Sequence, residues 1–170
     1  MAAELRPLLD FDSDDDFAPW GAVDDVVMGG VSRSRFERAA PGVALFTGRV
    51  SLDFGGGFAS CRTLARAWPA AGASAFVLRV RGDGRTYKFT LRTDDGYDGV
   101  QYQSCFTPPA GEWHDCTLLL ESFVASFRGR PVPGAPPLDP ARVRALGLMI
   151  SEKQAGPFAL EIDRIAVLAG

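Results

Sequence analysis

The stretch Phe76-Val77-Leu78-Arg79-Val80-Arg81-Gly82-Asp83-Gly84-Arg85-Thr86-Tyr87-Lys88-Phe89-Thr90-Leu91-Arg92 decides the fold. Apolar side chains recur at every second position on both sides of a Gly-Asp-Gly break. Phe76, Leu78 and Val80 share one face against Arg79 and Arg81; Tyr87, Phe89 and Leu91 share one against Lys88, Thr90 and Arg92. A period of two belongs to strands with one buried and one solvated face. The two glycines supply the backbone freedom that a turn between such strands needs.

The same alternation extends outward in both directions. Phe46, Val50 and Leu52 oppose Thr47, Arg49 and Ser51, and Val100, Tyr102 and Phe106 oppose Gln101 and Gln103. Leu146, Leu148 and Ile150 mark a further strand, and Phe158, Leu160 and Ile162 the last long one. There the apolar phase jumps to Ile165 and Val167, which predicts a β-bulge near Asp163 and Arg164. Turn signals at Asp94-Asp95-Gly96 and Pro108-Pro109-Ala110-Gly111 separate the runs. Short strands at this spacing predict an all-β sandwich or barrel, with antiparallel pairing because no run long enough for a crossover helix separates most of them. One helical turn is expected after Asp139, an N-cap followed by Pro140, within 140–145. The segment 128–138 holds four prolines and reads as a long surface loop.

With 170 residues the chain suits one domain, large enough to bury about 70% of the unfolded chain's surface without staples. The expected organisation is an acidic segment over 1–16, a solvated tail rich in Asp10, Asp12, Asp14, Asp15 and Asp16, then a single sandwich domain over 17–170. A net charge of −3 gives no pull toward nucleic acid, and no apolar run is long enough to enter a membrane as a spanning helix. Residues 1–16 show no signal-peptide h-region, so a cytoplasmic location is expected. Cys61, Cys105 and Cys116 are odd in number, lack CxxC spacing and sit in strand-like runs, where small buried hydrophobes are expected.

Catalytic chemistry finds little support. A single histidine, His114, cannot build an HxH or HExxH metal site, and there is no GxSxG elbow. His114 alternates with Cys116 and Leu118, which places it on a strand face near the core. Asp24 and Asp25 are adjacent and on extended chain point to opposite faces, so they cannot flank one bond. The glycine-rich Phe54-Gly55-Gly56-Gly57-Phe58 and Gly82-Asp83-Gly84 lack GxGxxG spacing and open no helix, so both read as turns. No catalytic residue, no cofactor and no metal is expected. Asp10, Asp12, Glu161 and Asp163 could hold a structural cation only if the N-terminus lies beside the last strand. Binding is the open class. Arg79, Arg81, Lys88, Arg92, Gln101 and Gln103 fall outward on the middle strands, and neighbouring strands would align them as a basic, amide-rich platform. Trp20, Trp68 and Trp113 are read as packing aromatics at sandwich edges.

The densest wording is Trp20-Gly21-Ala22-Val23-Asp24-Asp25-Val26-Val27-Met28-Gly29-Gly30-Val31-Ser32, whose glycine pair calls for positive φ or a close backbone approach. Further matching segments are Phe46-Thr47-Gly48, Gly56-Gly57-Phe58-Ala59-Ser60 with Arg62, and Arg81-Gly82-Asp83-Gly84-Arg85-Thr86-Tyr87. Phe123, Gly147-Leu148-Met149-Ile150-Ser151 and Gly156-Pro157-Phe158-Ala159-Leu160-Glu161-Ile162 follow. In this order and spacing the chain resembles the family of the mitochondrial complex I intermediate-associated protein 30, as a compact, stand-alone member. The resemblance implies a galactose-binding-like jelly-roll β-sandwich and an assembly-factor role on intermediates of NADH:ubiquinone oxidoreductase, with no catalytic residues to carry over. The expected partner is therefore a protein, with a small ligand or carbohydrate as the alternative. Trp20, Asp24, Asp25, Met28, Gly29, Gly30 and Ser32 are expected to shape one binding loop. Arg62, Arg81, Asp83, Arg85 and Tyr87 are expected to form a linked polar cluster near it, with a bidentate Arg–carboxylate pair. Arg79, Gln101 and Gln103 complete the candidate binding residues.

Overall fold

The computed structural model describes residues 4–24, 30–53, 57–94, 99–127 and 129–169. Among them the strands are β1 (Glu4–Leu9), β2 (Trp20–Ala22), β3 (Arg33–Ala40), β4 (Val43–Val50), β5 (Ala59–Thr63), β6 (Ala73–Arg81) and β7 (Tyr87–Arg92). They continue as β8 (Gln101–Phe106), β9 (Trp113–Leu119), β10 (Val124–Phe127), β11 (Arg130–Pro131), β12 (Ala145–Ile150) and β13 (Gly156–Ala169). A six-stranded sheet runs β3-β4-β13-β6-β9, and a seven-stranded sheet runs β11-β10-β8-β7-β12-β5-β2. Every strand pairing is antiparallel. In the six-stranded sheet β4 covers the first half of β13 and β1 the second half, on the edge away from β6.

The inward sets read from the alternation meet between the two sheets. Phe46, Phe76, Leu78, Leu160 and Ile162 come from one; Tyr87, Phe89, Leu91, Leu146 and Leu148 come from the other. All are fully buried, and each such side chain contributes about 1.5–3 kcal/mol on leaving water. Phe46 and Phe158 sit 4.9 Å apart between ring centroids, and Phe76 and Phe89 5.6 Å. The bulge stands where the phase jump placed it: the β13–β6 register shifts between Ile162 and Arg164, letting Ile162 and Ile165 both face the core. Asp139 caps a 3₁₀ turn, Pro140–Arg142, its Oδ1 accepting from the Ala141 N–H at 3.0 Å.

Several expectations change. The Gly-Asp-Gly break does not join neighbours in one sheet: β6 and β7 lie in opposite sheets, so this connection carries the chain across the sandwich. Leu52 falls beyond β4 and is 44% exposed. Ahead of the acidic run, β1 pairs with β13 and Phe11 is fully buried, although Asp10, Asp12, Asp14 and Asp15 remain exposed. That differs from a solvated tail because Leu8, Leu9 and Phe11 give a charged segment enough apolar surface to dock. Within 128–138, Arg130 and Pro131 pair as β11, and the Tyr102 hydroxyl donates to the Pro136 carbonyl at 2.7 Å. Cys61 is buried, but Cys105 is exposed and Cys116 half-buried. His114 is exposed, because β9 is the end strand of its sheet among the described residues.

Candidate functional site

The outer face of the seven-stranded sheet brings together the largest share of the candidate residues. Strand register sets the rows: Val124 lies opposite Gln103, Gln103 opposite Thr90, Thr90 opposite Gly147, and Gly147 opposite Arg62. A second row runs Cys105, Lys88, Met149 and Ser60. Ser126 opposite Gln101, and Arg92 opposite Ala145, form a third. The centre of the face is low, because Thr90, Ala145 and Gly147 are small. Gly147 is required there: a Cβ would lie 2.3 Å from the Thr90 Oγ1 and 3.0 Å from the Cys61 carbonyl oxygen. Toward β2 the trough deepens into a cleft of about 480 Å³ whose lining includes Trp20, Arg62, Leu64, Arg92, Asp94 and Ala145. The Arg92 guanidinium donates to the Gly99 carbonyl at 3.2 Å, which holds it along the sheet. Lys88 Nζ pairs with Glu152 at 2.8 Å and holds that carboxyl below its usual range. The arrangement presents donors and amides over an apolar floor, suited to carboxylates, peptide carbonyls or hydroxyls.

Arg79 and Arg81 do not join this platform. They project from β6, on the outer face of the opposite sheet, because an alternation fixes which face a side chain takes but not which sheet its strand enters. There Arg79 pairs with Asp163, and Arg81 makes a bidentate pair with Glu161, two bonds of 2.9 Å. Both guanidinium carbons lie over the Trp113 ring, at 5.0 and 5.2 Å. Glu161 and Asp163, considered as cation ligands, are thus held by arginines.

The polar cluster is only partly assembled. Asp83 Oδ1 and Oδ2 lie 3.0 and 3.1 Å from the Tyr87 hydroxyl. Asp83 also accepts from the Arg85 N–H at 3.1 Å and from the Ala159 N–H at 2.8 Å. Arg85 donates to the Gln154 and Ala155 carbonyls, each at 3.1 Å. Burial of its ring and the Asp83 carboxylate push the Tyr87 phenol well above its ordinary value. Arg62 stands apart from this cluster, on β5 of the seven-stranded sheet, and the bidentate pair falls to Arg81 and Glu161.

Of the segment 20–32, the described residues 20–24 and 30–32 lie at the seam where β2 and β5 of one sheet meet β3 of the other. Asp24 accepts from the Ser34 N–H at 2.8 Å, the Ser34 hydroxyl at 2.5 Å and the Ser60 N–H at 3.1 Å, so one carboxylate ties both sheets. Ser32 is fully buried and exchanges hydrogen bonds with the Ser51 backbone. Gly30 is buried, while Asp25, Met28 and Gly29 lie outside the described residues. Trp20 stacks on Phe36 with centroids 4.3 Å apart and planes 13° from parallel. Trp68 is buried with Arg66 over its ring at 3.9 Å. Pro19, Leu64 and Asp94 also line the cleft; the sequence marked Asp94 only as part of a turn and gave no signal at Pro19 or Leu64.

Among the described residues the molecule is a β-sandwich of two antiparallel sheets, and solved structures share this fold. A family 11 carbohydrate-binding module from Clostridium thermocellum, solved with a β-1,3-1,4-mixed-linked tetrasaccharide, matches with a TM-score of 0.70 at 16% identity, over 100% of this chain and 97% of that one. A crystal structure of an agarase matches at a TM-score of 0.59 and 12% identity, covering 98% of this chain and 24% of that one. These similarities are of fold.

Residues 9–162 match the family described as Complex I intermediate-associated protein 30, and the chain belongs to that family. The mitochondrial protein of that name from Drosophila melanogaster is 28% identical over 188 residues, 96% of this chain and 63% of its own length. The one from Mus musculus is 34% identical over 98 residues, 55% of this chain and 30% of its own length. An uncharacterised protein of Schizosaccharomyces pombe is 28% identical, covering 86% of this chain and 76% of that protein. The chain thus spans less than two thirds of either named mitochondrial relative. Their names place those proteins in mitochondria, whereas composition led to a cytoplasmic expectation here. Among the described residues, no helix is long and apolar enough to cross a membrane.

Proposed function

We propose that this protein is a non-catalytic docking module that binds a protein partner through the outer face of the seven-stranded sheet. The partner class is a subunit or assembly intermediate of respiratory complex I, or of another multi-subunit complex. The observation that carries this reading is the row Gln103, Thr90, Gly147 and Arg62 running across four strands, with Gln101 and Arg92 beside it, in a chain of this family. Strands about 4.8 Å apart repeat donors and amides at a spacing suited to the backbone and carboxylates of a protein surface. The trough between them accepts a side chain without moving the sheet.

The test is capture from native cells with tagged full-length chain. Arg62→Glu with Gln103→Glu is expected to reduce recovery of the partner at least about tenfold, since opposed charge at an interface costs binding energy. Arg35→Glu, on the exposed edge strand β3 of the other sheet, is expected to leave recovery unchanged. Binding through arginines also weakens as salt shortens the screening length from about 10 Å at 0.1 M to about 3 Å at 1 M. Equal recovery by all three proteins would refute this assignment of the face. A second reading is favoured by the cleft itself, where Trp20, Arg62 and Asp94 are among the residues lining about 480 Å³, room enough for a sugar ring. A glycan or hydroxy-acid ligand there would raise the melting temperature by mass action, and Arg62→Glu would abolish the rise.

A further inference from the structure

We infer that β9 is a self-pairing edge: two copies of this chain join antiparallel through β9, about a two-fold axis at Cys116, to extend the six-stranded sheet across both. The edges of this sandwich are not alike. The seven-stranded sheet ends in β11 and β2, two and three residues long. In the six-stranded sheet, β3 carries Arg33, Arg35 and Arg38 and a register shift, and β1 carries Arg6, Pro7 and a shift after Pro7. Short length, basic side chains, proline and bulges are the devices that keep a strand edge from recruiting another. β9 has fewer of them: Trp113-His114-Asp115-Cys116-Thr117-Leu118-Leu119 has no lysine, arginine, proline or register shift along its seven residues, and its one carboxylate, Asp115, already pairs with Arg164 of the same sheet at 3.5 Å. Among the described residues its side away from β6 has no partner strand, and His114, Asp115, Thr117 and Leu119 are exposed.

The sequence of β9 also says what can pair with it. In an antiparallel pair centred on Cys116, Trp113 faces Leu119 of the second copy, His114 faces Leu118, and Asp115 faces Thr117. No like charges meet, and the single carboxylate meets a hydroxyl that can donate to it. A register centred on Asp115 would set two carboxylates face to face, and the register on Thr117 leaves Asp115 against Leu119. The charge pattern thus selects one register between two copies, the one that keeps the carboxylates apart and sets each against a hydroxyl donor. On the outer face, Leu119 is 47% exposed at the end of a row formed with Ala75, Leu168 and Leu5. The second copy's Trp113 extends that row and covers Leu119. This edge is separate from the face assigned to the protein partner.

The experiment is sedimentation velocity of the full chain in reducing buffer, from about 10 µM to about 1 mM, the range for an interface smaller than a standard one. Wild type is expected to move from monomer toward dimer. Thr117→Asp, which opposes a second carboxylate to Asp115, is expected to weaken association at least about tenfold. Asp115→Lys combined with Thr117→Asp restores opposite charges and is expected to recover it; this rescue distinguishes lost pairing from lost folding. In a Cys105→Ser background, a short bis-maleimide is expected to link two chains through Cys116. A monomer at every concentration, or a dimer indifferent to Thr117→Asp, overturns the inference.

Discussion

Asp83 gathers the Tyr87 hydroxyl and the Arg85 and Ala159 N–H groups around one carboxylate, at the point where the chain crosses between sheets. Its replacement strands a phenol whose ring is fully buried and an N–H of β13. Bonds to a charged acceptor are worth about 1.5–3 kcal/mol, so Asp83→Ala is expected to destabilise by about 3 kcal/mol, lowering the melting temperature by about 6–12 °C in a domain of this size. Tyr87→Phe, which keeps the ring, is expected to cost about 1 kcal/mol. Thermal unfolding followed by circular dichroism measures both; an Asp83→Ala protein as stable as wild type that no longer captures its partner would assign Asp83 to binding instead. The same tyrosine shapes the alkaline limit. Burial holds Cys61 and Tyr87 protonated in the fold above their ordinary values of 9.0 and 10.0. Both groups favour the fold fully below those values, and that share is lost as pH rises past them, by up to about 1.4 kcal/mol per pH unit for each proton. Urea unfolding between pH 8 and 11 is expected to show this decline, and Tyr87→Phe to flatten it above pH 10.

At the scale of elements, the period-two pattern was readable because each strand buries one face. It yielded the inward sets, and even the bulge at Asp163, since a slipped phase has one simple backbone solution. What it could not yield was sheet membership. Arg79 and Lys88 both point outward, but on opposite sides of the molecule, because β6 and β7 belong to different sheets. No local signal separates a turn within a sheet from one that crosses between sheets. Burial at an edge was misread for the same reason: His114 holds a regular place on β9, yet its exposure depends on neighbours that sequence spacing does not name, whereas the exposure of Cys105 follows from the alternation that turns it outward with Gln101 and Gln103. Glycines inside strands were clearer. Gly48 sits where a Cβ would lie 2.0 Å from the Arg33 carbonyl oxygen and 2.7 Å from the Ser34 Cα. Gly48→Ala must therefore push β3 away from β4. It is expected to cost about 2–3 kcal/mol, with faster amide exchange along β3 as the diagnostic, while exchange in β7 and β12 stays near wild type.

The whole molecule closes asymmetrically, and that asymmetry links its stability to its surfaces. On one side β3 meets β2 and β5, with Trp20 stacked on Phe36 and Asp24 bonded to both Ser34 and Ser60. On the other side β9 ends the sheet, with no partner strand among the described residues. The closed seam borders the cleft, since Trp20, Val23 and Arg62 line it. Holding the two sheets together here therefore also holds the shape of the cleft's wall. Asp24→Ala removes the acceptor shared by the Ser34 and Ser60 N–H groups, two partly buried donors in different sheets. The expected loss is about 2–4 kcal/mol, with accelerated exchange at the Ser34 and Ser60 amides and unchanged protection between β6 and β9. Capture of the protein partner should fall as well, by less than with Arg62→Glu plus Gln103→Glu, because the rows on β7, β8 and β12 remain in place. Exchange mass spectrometry and capture with this one variant test both consequences. Faster exchange at the seam with full partner recovery would separate the seam from the docking face. An unchanged seam would show that Trp20 and Phe36 close the sandwich without the carboxylate.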